Sequence, residues 1–231
     1  EWDTRFDFSN VVISSGAKHA IYNVCMAVFQ SGDEVLIPSP YWVTFPEVVK
    51  IARANPVAVS TTHDEGFVLS PEEVRERLSA NTRGLIVNTP NNPTGAVLPR
   101  EAVFELDELG RDRDLFLLFD ETYERFTYGV TEHVSLAAAV ERLENGFAIV
   151  GSFSKTYAMT GWRVGYCVGP QALVQKITEF QSHETGNPCS ISQHAAVAAL
   201  RGGSESFEMM RRDYEKRLKF VLQGLETVPG Y

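Results

Sequence analysis

Cysteine is scarce in this chain of 231 residues, which carries Cys25, Cys167 and Cys189 and no others. An odd total with no close spacing excludes a disulfide framework and a paired-thiol metal motif, and it predicts a reduced, cytoplasmic setting. Positive charge is also short: 21 Lys+Arg stand against 30 Asp+Glu, a net charge of −9, with no basic cluster along any segment. Nucleic acid and anionic membrane are therefore poor partners. No apolar run reaches the roughly 18 to 20 residues of a membrane span. The start, Glu1-Trp2-Asp3-Thr4-Arg5, has neither a basic nor an apolar leader region, and without an initiator Met it reads as the inside of a longer protein. Of the five histidines only His183 has a carboxylate at i, i+4 spacing, Glu179, and a single such pair is too few ligands for a metal site, so none is expected. No nucleophile elbow argues for hydrolysis.

A hydrophobic content of 44% suffices for a packed core, and the length fits one large domain. Short apolar stretches alternate with longer segments of helical period, the pattern of strands joined by helical crossovers. Strands are predicted at Val11–Ser14, Glu34–Pro38, Val57–Ser60, Gly84–Asn88, Leu115–Phe119, Phe147–Gly151 and Val164–Val168. Helices are predicted at Lys18–Phe29, Val43–Ala54, Pro71–Ala80, Pro99–Arg113, Pro170–His183, Ser190–Leu200 and Ser204–Leu225. Ser70, Pro71 and Glu73 form a capping box with proline at the first helical position. The expected fold is a three-layer α/β/α domain around a mostly parallel sheet of about seven strands.

Five motifs stand in one order: Ser15-Gly16-Ala17-Lys18, Asn91-Asn92-Pro93-Thr94-Gly95, Asp120-Glu121-Thr122-Tyr123, Ser152-Phe153-Ser154-Lys155 and Gly161-Trp162-Arg163-Val164-Gly165. In an open α/β sheet, ligands bind past the carboxyl ends of the strands, where the Asn92, Asp120 and Lys155 motifs fall. Lys155 follows small residues, and a cation such as Arg163 nearby favours the neutral, nucleophilic amine. Asp120 closes an apolar run, where a carboxylate wants a cationic partner; read alone it is equally a helix N-cap. Ser15-Gly16-Ala17 opens a helix after a strand and offers backbone amides to an anion, with Ser152 and the bidentate Arg163 as further donors. Tyr123 and Asn92 can reach a phenolate oxygen, and Trp42 can stack on a ring or simply fill the core. Amine, carboxylate, phenolate donors and phosphate donors together are what a pyridoxal 5'-phosphate (PLP) site needs.

In this order the motifs resemble the fold type I, class I PLP-dependent aminotransferases, from about Val11 to Leu200. The resemblance implies that Lys155 is the Schiff-base lysine, that Asp120 partners the pyridine nitrogen, and that Tyr123 and Asn92 donate to the phenolate. It also implies that Ser152, Arg163 and the amides of Gly16 and Ala17 hold the phosphate, and that Trp42 stacks on the ring. Gly16-Ala17-Lys18 is similar to a turn of the bacterial aspartate aminotransferase subgroup, where the lysine reads a distal carboxylate; phosphate binding or plain solvation of Lys18 remain open. The implied reaction moves an amino group from an L-amino acid, aspartate among them, to a 2-oxo acid such as 2-oxoglutarate, in a homodimer. Residues 1–231 would then be the PLP-binding large domain, without the family's N-terminal arm and C-terminal small domain, and poorly active alone. A β-lyase or synthase on the same fold, and a non-catalytic PLP-binding sensor, are the alternative readings.

Overall fold

The computed structural model describes residues 6–140 and 146–229. The chain runs β1 (Val11–Ser14), α1 (Ala17–Val28), β2 (Glu34–Ser39), α2 (Thr44–Ile51), β3 (Asn55–Ser60), α3 (Pro71–Arg77), β4 (Thr82–Asn88) and α4 (Arg100–Arg113). It continues with β5 (Phe116–Asp120), β6 (Phe147–Ser152), α5 (Phe153–Thr156), β7 (Gly165–Val168), α6 (Gln171–Glu184), α7 (Ser190–Arg201) and α8 (Glu205–Leu225). Among the described residues the strands form one seven-stranded sheet, ordered β1-β7-β6-β5-β4-β2-β3, in which β7 runs against both of its neighbours.

Period-two alternation along the central strands divides the core into two layers. Leu118, Ala148 and Val150 pack with Ile21 and Val24 of α1, Phe45 of α2 and Ile177 of α6. Leu117, Phe119, Phe147 and Ile149 face the other way, onto Val74 of α3 and Val103 and Leu106 of α4. Leu118, Ile86 and Val150 have no exposed surface, and burial of such side chains is worth roughly 1.5–3 kcal/mol each. Helices thus cover both faces of the sheet, as the alternating pattern predicted. Among the described residues no helix is long and apolar enough to cross a membrane.

Several boundaries move. Strand β5 extends to Asp120 and β6 to Ser152, because both residues still pair with neighbouring strands: Asp120 with Asn88 and Val150, Ser152 with Gly165. The predicted first strand residues Leu115 and Val164 lie outside the ladder, while β3 begins earlier, at Asn55. Helix α2 is shorter than predicted and α3 ends at Arg77. The short helix α5 and the 3-10 turns Phe8–Asn10, Leu136–Ala138 and Thr160–Trp162 escaped prediction; three or four residues are too few to display a hydrophobic period.

The capping box forms as expected: Glu72 N–H donates to Ser70 Oγ at 3.2 Å and Ser70 N–H to Glu73 Oε2 at 2.8 Å. Ser70→Ala is expected to destabilise the protein by about 1 kcal/mol, read as a lower urea midpoint at unchanged slope.

Near the C-terminal end, α8 lies mostly in the open. Its Phe207 is buried, and the rings of Phe207 and Tyr214 pack edge-on against Phe126 at 5.6 and 5.7 Å.

Candidate functional site

Sheet register assembles the site before any side chain is considered. Ser14 lies opposite Gly165, and Gly165 opposite Ser152, so the ends of β1, β7 and β6 sit side by side. The antiparallel course of β7 is what returns the chain there: the segment between β6 and β7 leaves the sheet at Ser152 and re-enters at Gly165. On the other side, Asn88, Asp120 and Val150 are register neighbours at the ends of β4, β5 and β6. A cleft of about 230 Å³ opens between these groups, lined by Ala17, Lys18, Trp42, Asn92, Asp120, Tyr123, Ser152, Lys155 and Arg163. Nine of the ten site residues expected from the motifs thus line one cavity. The tenth, Gly16, is the residue immediately before Ala17 at the start of α1.

Gly16 adopts φ 91°, in the left-handed region that favours glycine. A Cβ there would fall on the Arg163 guanidinium. Its N–H is not free for a ligand, because it donates to Ser14 O at 2.9 Å. This corrects the expected pair of amides: α1 begins at Ala17 and has no side-chain cap, so the first-turn amides left without a capping side chain at the cleft lining are those of Ala17 and Lys18. Gly165 serves the same turn from outside, since a Cβ on it would lie 2.6 Å from Ala17 N.

Arg163 closes the Thr160–Trp162 turn in a left-handed conformation, φ 52°, which costs an L-residue about 1–2 kcal/mol. That geometry turns its guanidinium back, where it donates to Thr160 O at 2.9 Å and Ser15 O at 3.2 Å. Ser152 caps α5, its Oγ accepting Ser154 N–H at 3.0 Å. Lys155 lies in that single helical turn, with Nζ 5.8 Å from the centre of the Tyr123 ring. Lys18 Nζ lies 5.0 Å from the centre of the Trp42 ring, which packs edge-on against Phe45.

Asp120 is 4% exposed and accepts Thr122 N–H at 3.0 Å. Burial pushes its carboxyl up to about 6, hydrogen bonding from Thr122 opposes this, and the charge of Glu121 adds to it. Burial and the Asp120 charge also raise the Tyr123 phenol, against a hydrogen bond from Asn92. The cleft therefore holds three cationic side chains, Lys18, Lys155 and Arg163, and one buried carboxylate. The donor set fits a ligand with an anionic end, a reactive carbonyl and one basic ring atom, which is the chemistry of PLP.

Two residues at the strand ends support the site without having been assigned a role from the sequence. Asn88 accepts Asn92 N–H at 2.7 Å and donates to Asp120 O at 2.9 Å, linking two of the motifs; a polar residue ending the buried run Leu85-Ile86-Val87 was its available signal. Glu121 projects to the opposite side of the sheet from Asp120. It accepts Ser135 Oγ and Leu136 N–H at 3.0 and 2.9 Å and lies 3.2 Å from His133.

A parallel-centred α/β sheet with a polar cleft across its carboxyl ends is the architecture of a small-molecule-binding α/β domain. The chain belongs to the family described as aminotransferase class I and II, whose model matches residues 3–231. It is 39% identical over 223 residues to aspartate aminotransferase from Bacillus subtilis (strain 168), covering 96% of this chain and 57% of that relative. Aspartate aminotransferase from Thermus thermophilus with maleate superposes with a TM-score of 0.90 at 38% identity, over 94% of this chain and 57% of that one. Aromatic aminotransferase from Pyrococcus horikoshii OT3 gives 0.91 at 34% identity, over 98% and 60%. The chain thus spans rather more than half the length of these relatives.

Proposed function

We propose that this chain is the PLP-holding large domain of an aminotransferase that moves an amino group from a dicarboxylic L-amino acid, aspartate foremost, to a 2-oxo acid such as 2-oxoglutarate. The observation that carries the reading is the convergence of Lys155, Asp120 and Arg163 from three separate chain segments on one cleft. Bound there, PLP supplies an aldehyde and an electron-withdrawing ring that acidifies the Cα–H of an amino acid. Arg163, Ser152 and the amides of Ala17 and Lys18 hold the phosphate. Asp120 holds a proton on the ring nitrogen and thereby keeps the ring positively charged. Tyr123 and Asn92 orient the phenolate edge, and Trp42 covers one face of the ring. Lys155 would serve as the general base that takes the Cα proton and, protonated, as the general acid that returns it. Lys18, beside Trp42 at the cleft wall, reads the distal carboxylate of the substrate. The names of the relatives support aspartate as donor.

Supplying PLP, aspartate and 2-oxoglutarate to the full-length protein that contains this domain is expected to yield oxaloacetate and glutamate in equal amounts. Pyruvate and ammonia from a β-substituted amino acid without an oxo acid acceptor would instead establish a lyase. Binding of PLP by the full-length protein with neither product would establish a sensor.

A further inference from the structure

One polar pair outside the cleft is used by none of these roles. Ser15 N–H donates to His19 Nδ1 at 3.1 Å, and His19 Nε2 lies 2.8 Å from Glu184 Oε2. The side chains of His19 and Glu184 are only 10% and 30% exposed. Because Nδ1 accepts an N–H it carries no proton, so Nε2 bears the hydrogen and donates it to Glu184. The pair spans 165 positions of sequence and ties α1 to the last turn of α6. One turn earlier on α6, Gln181 donates to Ile13 O at 3.0 Å and accepts from Asn23 at 3.2 Å. Helix α6 therefore grips the end of β1 and the start of α1 at two successive points.

The consequence falls on one peptide. Ser15 is pinned at both its groups, its N–H by His19 and its C=O by Arg163 at 3.2 Å. The turn that follows, Gly16 to Lys18, carries the open amides, and α1 has no side-chain cap to compete for them. A histidine two residues into the helix could itself have served as an anion donor if protonated. Here its ring turns outward to Ser15, and Glu184 fixes it in the accepting tautomer.

We infer that His19, oriented by Glu184, is a positioning residue for the cofactor phosphate: it holds Ser15 so that the Ala17 and Lys18 amides point into the cleft. The inference rests on the PLP reading above and concerns only the phosphate end of the ligand. Removing the acceptor therefore weakens PLP more than pyridoxal, which lacks the phosphate, whereas a merely structural lesion weakens both alike.

The test is titration of the purified protein and its variants with PLP and with pyridoxal, followed by visible absorbance. His19→Leu is expected to lower PLP affinity about tenfold, the scale of one lost ordering hydrogen bond, with little change for pyridoxal. His19→Asn, whose Oδ1 can accept the same N–H, is expected to restore most of the difference. Glu184→Ala, at the rim of α6, tests the pair without disturbing the core and is expected to shift the PLP-to-pyridoxal ratio about threefold in the same direction. Equal losses for the two ligands, or no loss in His19→Leu and Glu184→Ala, overturn the role. A wild-type protein that binds no PLP overturns the underlying reading and this inference with it.

Discussion

Alanine in place of Lys155 is expected to lower amino transfer by about 10⁴-fold or more, combining loss of the general base with loss of covalent attachment. The geometry makes the residue irreplaceable by its neighbours. Lys155 lies in a one-turn helix capped by Ser152, which fixes the direction of its side chain across the cleft toward Tyr123, 5.8 Å away. Lys18, the other lysine lining the cleft, stands beside Trp42. The variant should still bind PLP through Arg163, Ser152 and the α1 amides, so its absorbance changes from that of a lysine adduct to that of the free aldehyde. Small exogenous amines should then recover part of the rate. Steady-state turnover and visible spectra check both halves; a variant retaining a tenth of wild-type turnover would remove Lys155 from the chemistry.

Asp120→Asn is expected to act in opposite directions on activity and on stability. Without a cationic partner the buried carboxyl titrates at about 6, against an ordinary value of 3.8. The folded state thus binds its proton more tightly than the unfolded state does. The group costs nothing below pH 3.8, its cost grows between 3.8 and about 6, and above that it levels off at roughly 3 kcal/mol from the difference of about two units. Asparagine removes that cost, so cofactor-free Asp120→Asn should be more stable than wild type at pH 8, with the gain vanishing at pH 4. Its turnover at pH 8 should fall by about 10²- to 10³-fold, because the ring nitrogen loses the charge that retains its proton. Paired urea titrations at the two pH values and a rate measurement decide the matter; a variant less stable than wild type at pH 8 would mean that Asp120 already has a stabilising partner in the fold.

The same residue shows why a polar cleft is a local weakness in a stable sheet. Leu117, Leu118 and Phe119 place their side chains in the two hydrophobic layers and contribute favourably. Asp120 continues their strand by one residue, still paired with Asn88 and Val150, and buries a charge instead. Strand pairing holds it where its own solvation would not, and this cost is what a cationic ring atom can relieve.

Much of this was legible in the linear order of residues. Apolar runs of period two, separated by segments of helical period, specify a sheet covered on both faces, because each face must be buried. Strand ends supply the chemistry, so motifs that follow strands announce a cleft. Lys155, Asp120, Arg163 and their companions could be named from residue type and position relative to those strands. Local electrostatics also sufficed for the Ser70 cap, whose partners lie within three residues.

Contacts across long separations belong to the tertiary structure alone. The reversal of β7 set Ser14, Gly165 and Ser152 abreast, and no periodicity encodes the direction in which a strand is paired. The left-handed turn at Arg163 and the diversion of the Gly16 amide to Ser14 decide which donors remain for an anion, and both depend on backbone angles rather than residue type. The links Asn88 to Asp120 and His19 to Glu184 join residues 32 and 165 positions apart. Such bonds form only because packing of the two hydrophobic layers has already brought their helices and strands together, a global free-energy balance that no local stretch of sequence expresses.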